Sequence, residues 1–187
     1  MAIQDAFVMR LVENGYENVS IRDIATLAGV GLGTLYLYFP NKESIAAVTM
    51  RRWLRNLARD MERSATDKQH GVYQRVDALV LANLDAIYPQ APQWRALLML
   101  ERRITEPLLY RQMYQHFVYM VARVLAGAAD WPATRTAQPV AFLVFSLLCS
   151  ATRDALLVLD DLPPRDAWQV QLQAALRSAM AASFGTP

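Results

Sequence analysis

Apolar residues recur every three or four positions along most of the chain and no stretch alternates with period two, so the pattern predicts an all-α fold. Ile3, Phe7 and Leu11, with Ala6 beside them, draw the stripe of a first helix, and Gly15 follows where a left-handed helix stop is favoured. Ser20-Ile21-Arg22-Asp23 is composed as a capping box: the Ser20 hydroxyl accepts from the Asp23 amide and the Asp23 carboxylate returns to the Ser20 amide. Val19 and Ile24 are spaced as its hydrophobic staple. Ile21, Ile24, Ala25 and Ala28 line one face of a second helix that Gly29 ends. A third helix carries Leu35 and Phe39 on its buried side and stops at Pro40, after which Asn41 caps a longer fourth helix running to about Ser64. Further helices are expected at about 71–88, 92–106, 107–126, 136–159 and 164–184, separated by Pro89-Gln90-Ala91-Pro92, Asp130-Trp131-Pro132 and Pro163-Pro164.

No internal repeat or low-complexity linker interrupts this order. The expected division is a three-helix segment at 1–46 and a larger helical domain at 47–187, with the fourth helix as a rigid joint. At 187 residues and 54% hydrophobic composition, the chain can bury a substantial core. Its longest apolar run, Val140 to Ala151, meets Arg153 and Asp154 well short of the ~20 residues of a membrane-spanning helix and reads as a buried helix. Met1 opens directly into an amphipathic pattern without an export signal, and the single cysteine, Cys149, forms no disulfide framework, so a cytoplasmic protein is expected. The net charge of +2 does not by itself argue for nucleic acid: seven basic and six acidic residues precede Met61, leaving twelve and eleven for the rest.

A helix, a tight glycine turn and a second short helix form the helix-turn-helix pattern, whose second helix enters the DNA major groove. Gly29 allows the left-handed turn, Val30 fills the gap between the helices, and Gly31 and Gly33 let the next helix start close to a phosphate. The residues left exposed are Leu32, Thr34, Tyr36, Leu37 and Tyr38. Threonine and leucine suit thymine methyls, while tyrosine hydroxyls and Lys42 suit phosphates. The run Gly29 to Thr34 is glycine-rich like a nucleotide loop, but no strand precedes it and no Gly-Lys-Ser/Thr follows.

Gly15-Tyr16, Ser20-Ile21-Arg22-Asp23-Ile24-Ala25, Ala28-Gly29-Val30, Gly33-Thr34-Leu35-Tyr36 and Tyr38-Phe39-Pro40-Asn41-Lys42-Glu43, taken in order, resemble the signature of the TetR family of transcriptional regulators over about the first 45 residues. The resemblance implies DNA contacts at Ser20, Thr34, Tyr36 and Lys42, with Tyr38 as a further candidate. It also implies an effector pocket among the middle helices and a homodimer through the last two helices, at about 136–159 and 164–184. Two features depart from the family pattern. Gly31-Leu32 stands where a Ser-Lys pair is usual, which removes a capping hydroxyl and a charge, and the chain starts at the first helix without a basic arm.

In the C-terminal part, Trp94, Met99, Arg103, Tyr110, Met113, Tyr114, Phe117, Phe142, Phe145 and Cys149 fall on apolar helix faces, as either core or the lining of an effector site. Flexible methionines and flat aromatic walls suit a largely apolar small molecule. Arg103 interrupts its face together with Glu101 and Arg102; an ion pair with Glu106 explains it equally. Val144, Leu148, Ala151 and Ala155, with Trp168, Leu172, Ala175, Ala179 and Ser183, form stripes rich in small residues, suited to a symmetric seam or to packing within the chain. The enzyme reading has little support. His70 and His116 are the only histidines and belong to no metal motif, Cys149 lies in an apolar run unsuited to a reactive thiolate, and nothing calls for a cofactor or metal. The expected function is therefore a repressor that a small apolar effector releases from operator DNA.

Overall fold

The computed structural model describes residues 2–67, 69–104 and 106–184, without the side chains of Arg102 and Phe184. Met1 and the Arg102 side chain, both weighed above, lie outside the described part. All regular structure among the described residues is helical. The chain gathers into two compact units, residues 1–55 with 90–110 and residues 56–89 with 111–187. The first unit thus takes in more than the expected segment 1–46.

In the first unit α1 (Ile3–Asn18) packs on α2 (Ile21–Ala28), and α2 packs on α3 (Leu32–Tyr38). Two further elements contribute here: the start of α4 (Lys42–Ala65), and α6 (Ala91–Ile104), which packs on α1. The core is the apolar stripe read from the sequence. Phe7, Ile24, Leu35, Ile45 and Met50 are fully buried, each favouring the fold by ~1.5–3 kcal/mol relative to exposure. α1 breaks at Gly15, whose φ of 70° and ψ of 158° only glycine adopts without strain. The expected positive φ is there, but the chain leaves Gly15 extended rather than left-handed. Gly29, at φ 72° and ψ 31°, is the true left-handed stop. Its N–H donates to Thr26 O at 3.2 Å and that of Val30 to Ala25 O at 3.0 Å, closing the end of α2.

Caps explain the other boundaries. Ser20 Oγ accepts from the Asp23 N–H at 3.1 Å as expected, but donates to the Asp23 carboxylate at 2.5 Å, so that carboxylate serves the hydroxyl. Val19 and Ile24 are both buried as the staple. Asn41 Oδ1 accepts the Ser44 N–H at 2.8 Å and starts α4. α3 ends at Tyr38, before Pro40.

Tyr16, 8% exposed, ties three of these helices together. Its hydroxyl donates to Glu43 at 3.0 Å, and Lys42 Nζ donates to its carbonyl at 2.7 Å while lying 4.3 Å from its ring centroid. The Arg103 guanidinium, 5.2 Å from the same centroid, also pairs with Glu17. That exposed ion pair is screened by solvent and contributes little. The Lys42 contact with the ring and the hydroxyl bond to Glu43 matter more.

In the second unit α5 (Val72–Ile87), followed by a 3-10 turn at Tyr88–Gln90, packs on α10 (Arg165–Phe184). α7 (Pro107–Ala126) begins in the first unit and continues into the second. α8 (Gln138–Phe145), a π-helical turn (Ser146–Ser150) and α9 (Ala151–Val158) make one continuous stretch, and α10 contacts both α8 and the turn. The expectation of one helix at 136–159 holds, but the wide turn inside it was not legible. The stretch Gln138–Val158 also corrects the length argument: at 21 residues it is long and apolar enough to cross a membrane, although the run Val140–Ala151 is not. Within the unit, Val140, Ala141, Val144, Leu148 and Leu156 on this stretch are buried. Buried Arg75 on α5 is satisfied by three carbonyls, Val124 O at 2.9 Å, Asp67 O at 2.8 Å and His70 O at 3.3 Å. Ion pairs Arg165–Asp85 and Arg177–Asp77 join α10 to α5 at the surface.

Tyr16→Phe keeps the ring and its cation contacts and removes the bond to Glu43, so urea unfolding at neutral pH should register a loss of about 1 kcal/mol. Burial first, then Glu43, pushes the Tyr16 hydroxyl up to about 12. The folded protein therefore holds this proton more tightly than the unfolded chain, where tyrosine titrates near ~10. The resulting stability is intact below about pH 10 and is lost as pH rises toward 12. Wild type should accordingly lose its advantage over Tyr16→Phe in that window. Curves that stay parallel from pH 8 to 12 would contradict the contact.

Candidate nucleic-acid interface and effector site

α3 is held by one side. Leu35 is fully buried and Leu32 and Phe39 are half-buried, while Thr34, Tyr36, Leu37 and Tyr38 face solvent. Leu37 is 83% exposed and Tyr38 72%, so neither supports the fold of this chain and both are available to a partner. Leu32, expected to be exposed, is partly turned inward. Gly31 caps α3 without a side-chain bond, the consequence of glycine at a position where serine would cap. Neither Gly31 nor Gly33 has a positive φ. A Cβ at Gly31 would meet only Thr34 Oγ1 at 3.6 Å, and one at Gly33 nothing within 4 Å. Nothing within the chain demands these glycines, and the space they leave is open.

Ser20 and Lys42 are more committed than the sequence suggested. The Ser20 proton is given to Asp23, so donation to a phosphate requires breaking that bond. A lysine at the start of α4 opposes the helix dipole. The Tyr16 carbonyl and ring compensate that cost within the chain, with no phosphate required. Glu43 beside it is held below the usual carboxylate range by its own backbone N–H at the helix start and then by the Tyr16 hydroxyl.

The candidate effector residues divide between the units. In the first, Trp94 is buried edge-on against Trp53 at 5.0 Å, Met99 is 72% exposed, Tyr110 is half-buried, and Arg103 pairs with Glu17 rather than Glu106. In the second, Tyr114, Phe117 and Phe145 form a cluster with centroids 5.8–6.5 Å apart. Met113 and Cys149 are half-buried, Phe142 is mostly exposed, and desolvation pushes the Cys149 thiol up to about 12. Arg153 Nη1 donates to the Tyr114 hydroxyl at 2.9 Å. The sequence reading missed this pair, since Arg153 is visible at the end of the apolar run but its partner lies 39 residues away. Among the described residues no three His, Cys, Asp or Glu side chains group as a metal site. On the last two helices Val144, Leu148, Ala155 and Leu172 turn into their own unit, whereas Ala167, Val170, Ala174, Ala175 and Ser178 are exposed.

Residues 3–49 match the family described as bacterial regulatory proteins, tetR family. The fatty acid metabolism regulator protein of Bacillus subtilis is 40% identical over 73 residues, 37% of this chain and 38% of that protein. The HTH-type transcriptional regulator BetI of Brucella suis is 30% identical over 82 residues, 44% of this chain and 41% of its own. The match thus spans about two fifths of these curated relatives. Over the whole fold, the transcriptional regulator FadR from Bacillus subtilis, solved with stearoyl-CoA, superposes with a TM-score of 0.74 at 19% identity, covering 93% of this chain and 95% of that one. The fatty acid degradation regulator FadR from Bacillus halodurans gives 0.73 at 20% identity, with coverage of 93% and 95%. Each of these proteins is described as a regulator. Residues 3–49 thus carry the N-terminal segment of the tetR family of bacterial regulatory proteins, and the described chain shares the helical fold of these solved regulators.

Proposed function

We propose that the chain is a cytoplasmic repressor that binds operator DNA as a homodimer and is released when a largely apolar small molecule occupies the interior of its second unit. The observation that carries the DNA-binding reading is α3 itself: one buried leucine anchors it, and Thr34, Tyr36, Leu37 and Tyr38 are presented on its free side. With net charge only +2, affinity must come from local contacts. Tyr36 and Tyr38 hydroxyls donate to phosphates or base edges, and Leu37 and Thr34 meet thymine methyls. Lys42 adds charge while tethered to Tyr16. Ser20 joins only by releasing Asp23.

The aromatic cluster Tyr114, Phe117 and Phe145 supports the effector reading, with Met113 and Cys149 as neighbours in sequence and Arg153 as a polar handle. The relative solved with stearoyl-CoA favours a long acyl chain as the apolar part. Such a ligand shifts DNA affinity only to the extent that it binds the two states unequally. The dimer seam is assigned to the exposed side of α10, around Val170 and Ala174, because the stripe with Leu172 is used inside the unit.

Two outcomes test this. Against the DNA upstream of its own gene, Tyr38→Phe and Tyr36→Phe should each weaken binding about tenfold, as loss of a hydrogen bond to a charged group would. Leu37→Ala should instead change the consensus recovered by binding-site selection. Wild-type affinity in both tyrosine variants together with an unchanged consensus would remove α3 from the interface. Val170→Glu should place like charges across the symmetric seam and give monomers in sedimentation; a dimer that persists would move the seam elsewhere.

A further inference from the structure

The second unit holds one buried polar pair that the fold leaves incomplete. Asn83 on α5 is 1% exposed and Thr152 on α9 is fully buried. Thr152 Oγ1 lies 3.0 Å from Asn83 Oδ1 and 2.9 Å from Leu148 O, but its single proton serves only one of them. With Asn83 Oδ1 facing the hydroxyl oxygen at 3.0 Å, the Thr152 proton lies between the two oxygens, while Leu148 O still accepts the Ala151 N–H at the end of the π-helical turn. Asn83 Nδ2 then has no hydrogen-bond partner. Turning the carboxamide over only moves the deficit to its oxygen. A buried amide end without a partner costs ~1–3 kcal/mol, more than a satisfied hydrogen bond contributes, so the pair is a net cost to the empty fold. It also stands beside a π-helical turn, an insertion that recurs at functional sites.

We propose that Asn83 Nδ2 is the polar anchor of the effector site, donating to the carbonyl oxygen of an ester or thioester on an otherwise apolar ligand. This deepens the effector reading and rests on it. Thr152 orients the carboxamide and is a positioning residue. An uncharged carbonyl matches the locus because the buried pair itself, a carboxamide and a hydroxyl, brings no countercharge for a carboxylate, and the neighbouring Arg153 guanidinium donates to the Tyr114 hydroxyl instead.

The test compares methyl dodecanoate with tridecane, two probes of similar length of which only the first has a carbonyl. Binding is followed by tryptophan fluorescence in the full-length protein. Asn83→Leu, close in volume, should weaken the ester about tenfold and leave the hydrocarbon unchanged, while the empty variant melts no lower than wild type because the unpartnered donor is gone. Thr152→Val should give a smaller loss for the ester alone, and it serves equally well if the leucine variant folds poorly. If wild type binds both probes and neither variant discriminates between them, the anchor is wrong and the effector reading stands. If wild type binds neither probe, both fall, while DNA binding is judged separately. Equal weakening of both probes marks a packing role and overturns the anchor.

Discussion

One ring, Tyr16, bears a cation contact from Lys42 and another from Arg103, with its hydroxyl on Glu43 and its carbonyl on Lys42. The end of α1, the start of α4 and the end of α6 therefore share a single anchor. Apolar burial at Phe7, Ile24, Leu35 and Ile45 supplies most of the energy of the first unit, since several side chains at ~2 kcal/mol exceed any one polar contact here. Burial alone is tolerant of small rotations. The directional contacts at Tyr16 select one arrangement of α1 against α4 and so define the frame from which α3 projects.

The same anchor ties α6 to the start of α4. Arg103 sits near the end of α6, the helix that also buries Trp94 against Trp53. Any shift of α6 changes the charge over the Tyr16 ring and, through Lys42, the start of α4. Two helices, α4 and α7, run from one unit into the other along the chain.

Local chemistry was legible in the sequence and long-range pairing was not. The stop at Gly29, the caps at Ser20 and Asn41, the staple of Val19 with Ile24 and the helix boundaries follow from residues within a few positions of one another. Arg103 escaped a local reading because its partners, Glu17 and Tyr16, lie more than 80 residues away along the chain. The small-residue stripes mixed the two sides of their helices, since Leu172 faces inward and Ala175 outward. Periodicity cannot report a π-helical turn, which shifts the phase of every residue after it. Nor does composition reveal that Asn83 is left one hydrogen bond short.

The central claim is that two α3 helices read DNA as a symmetric pair, and hydroxyl-radical footprinting on the DNA upstream of the protein's own gene tests it most directly. The account predicts two protected patches related by a two-fold axis and centred one helical turn apart, about 10–10.5 base pairs, or a multiple of that spacing. Protection of a single patch, or continuous protection without two-fold symmetry at saturating protein, would contradict it.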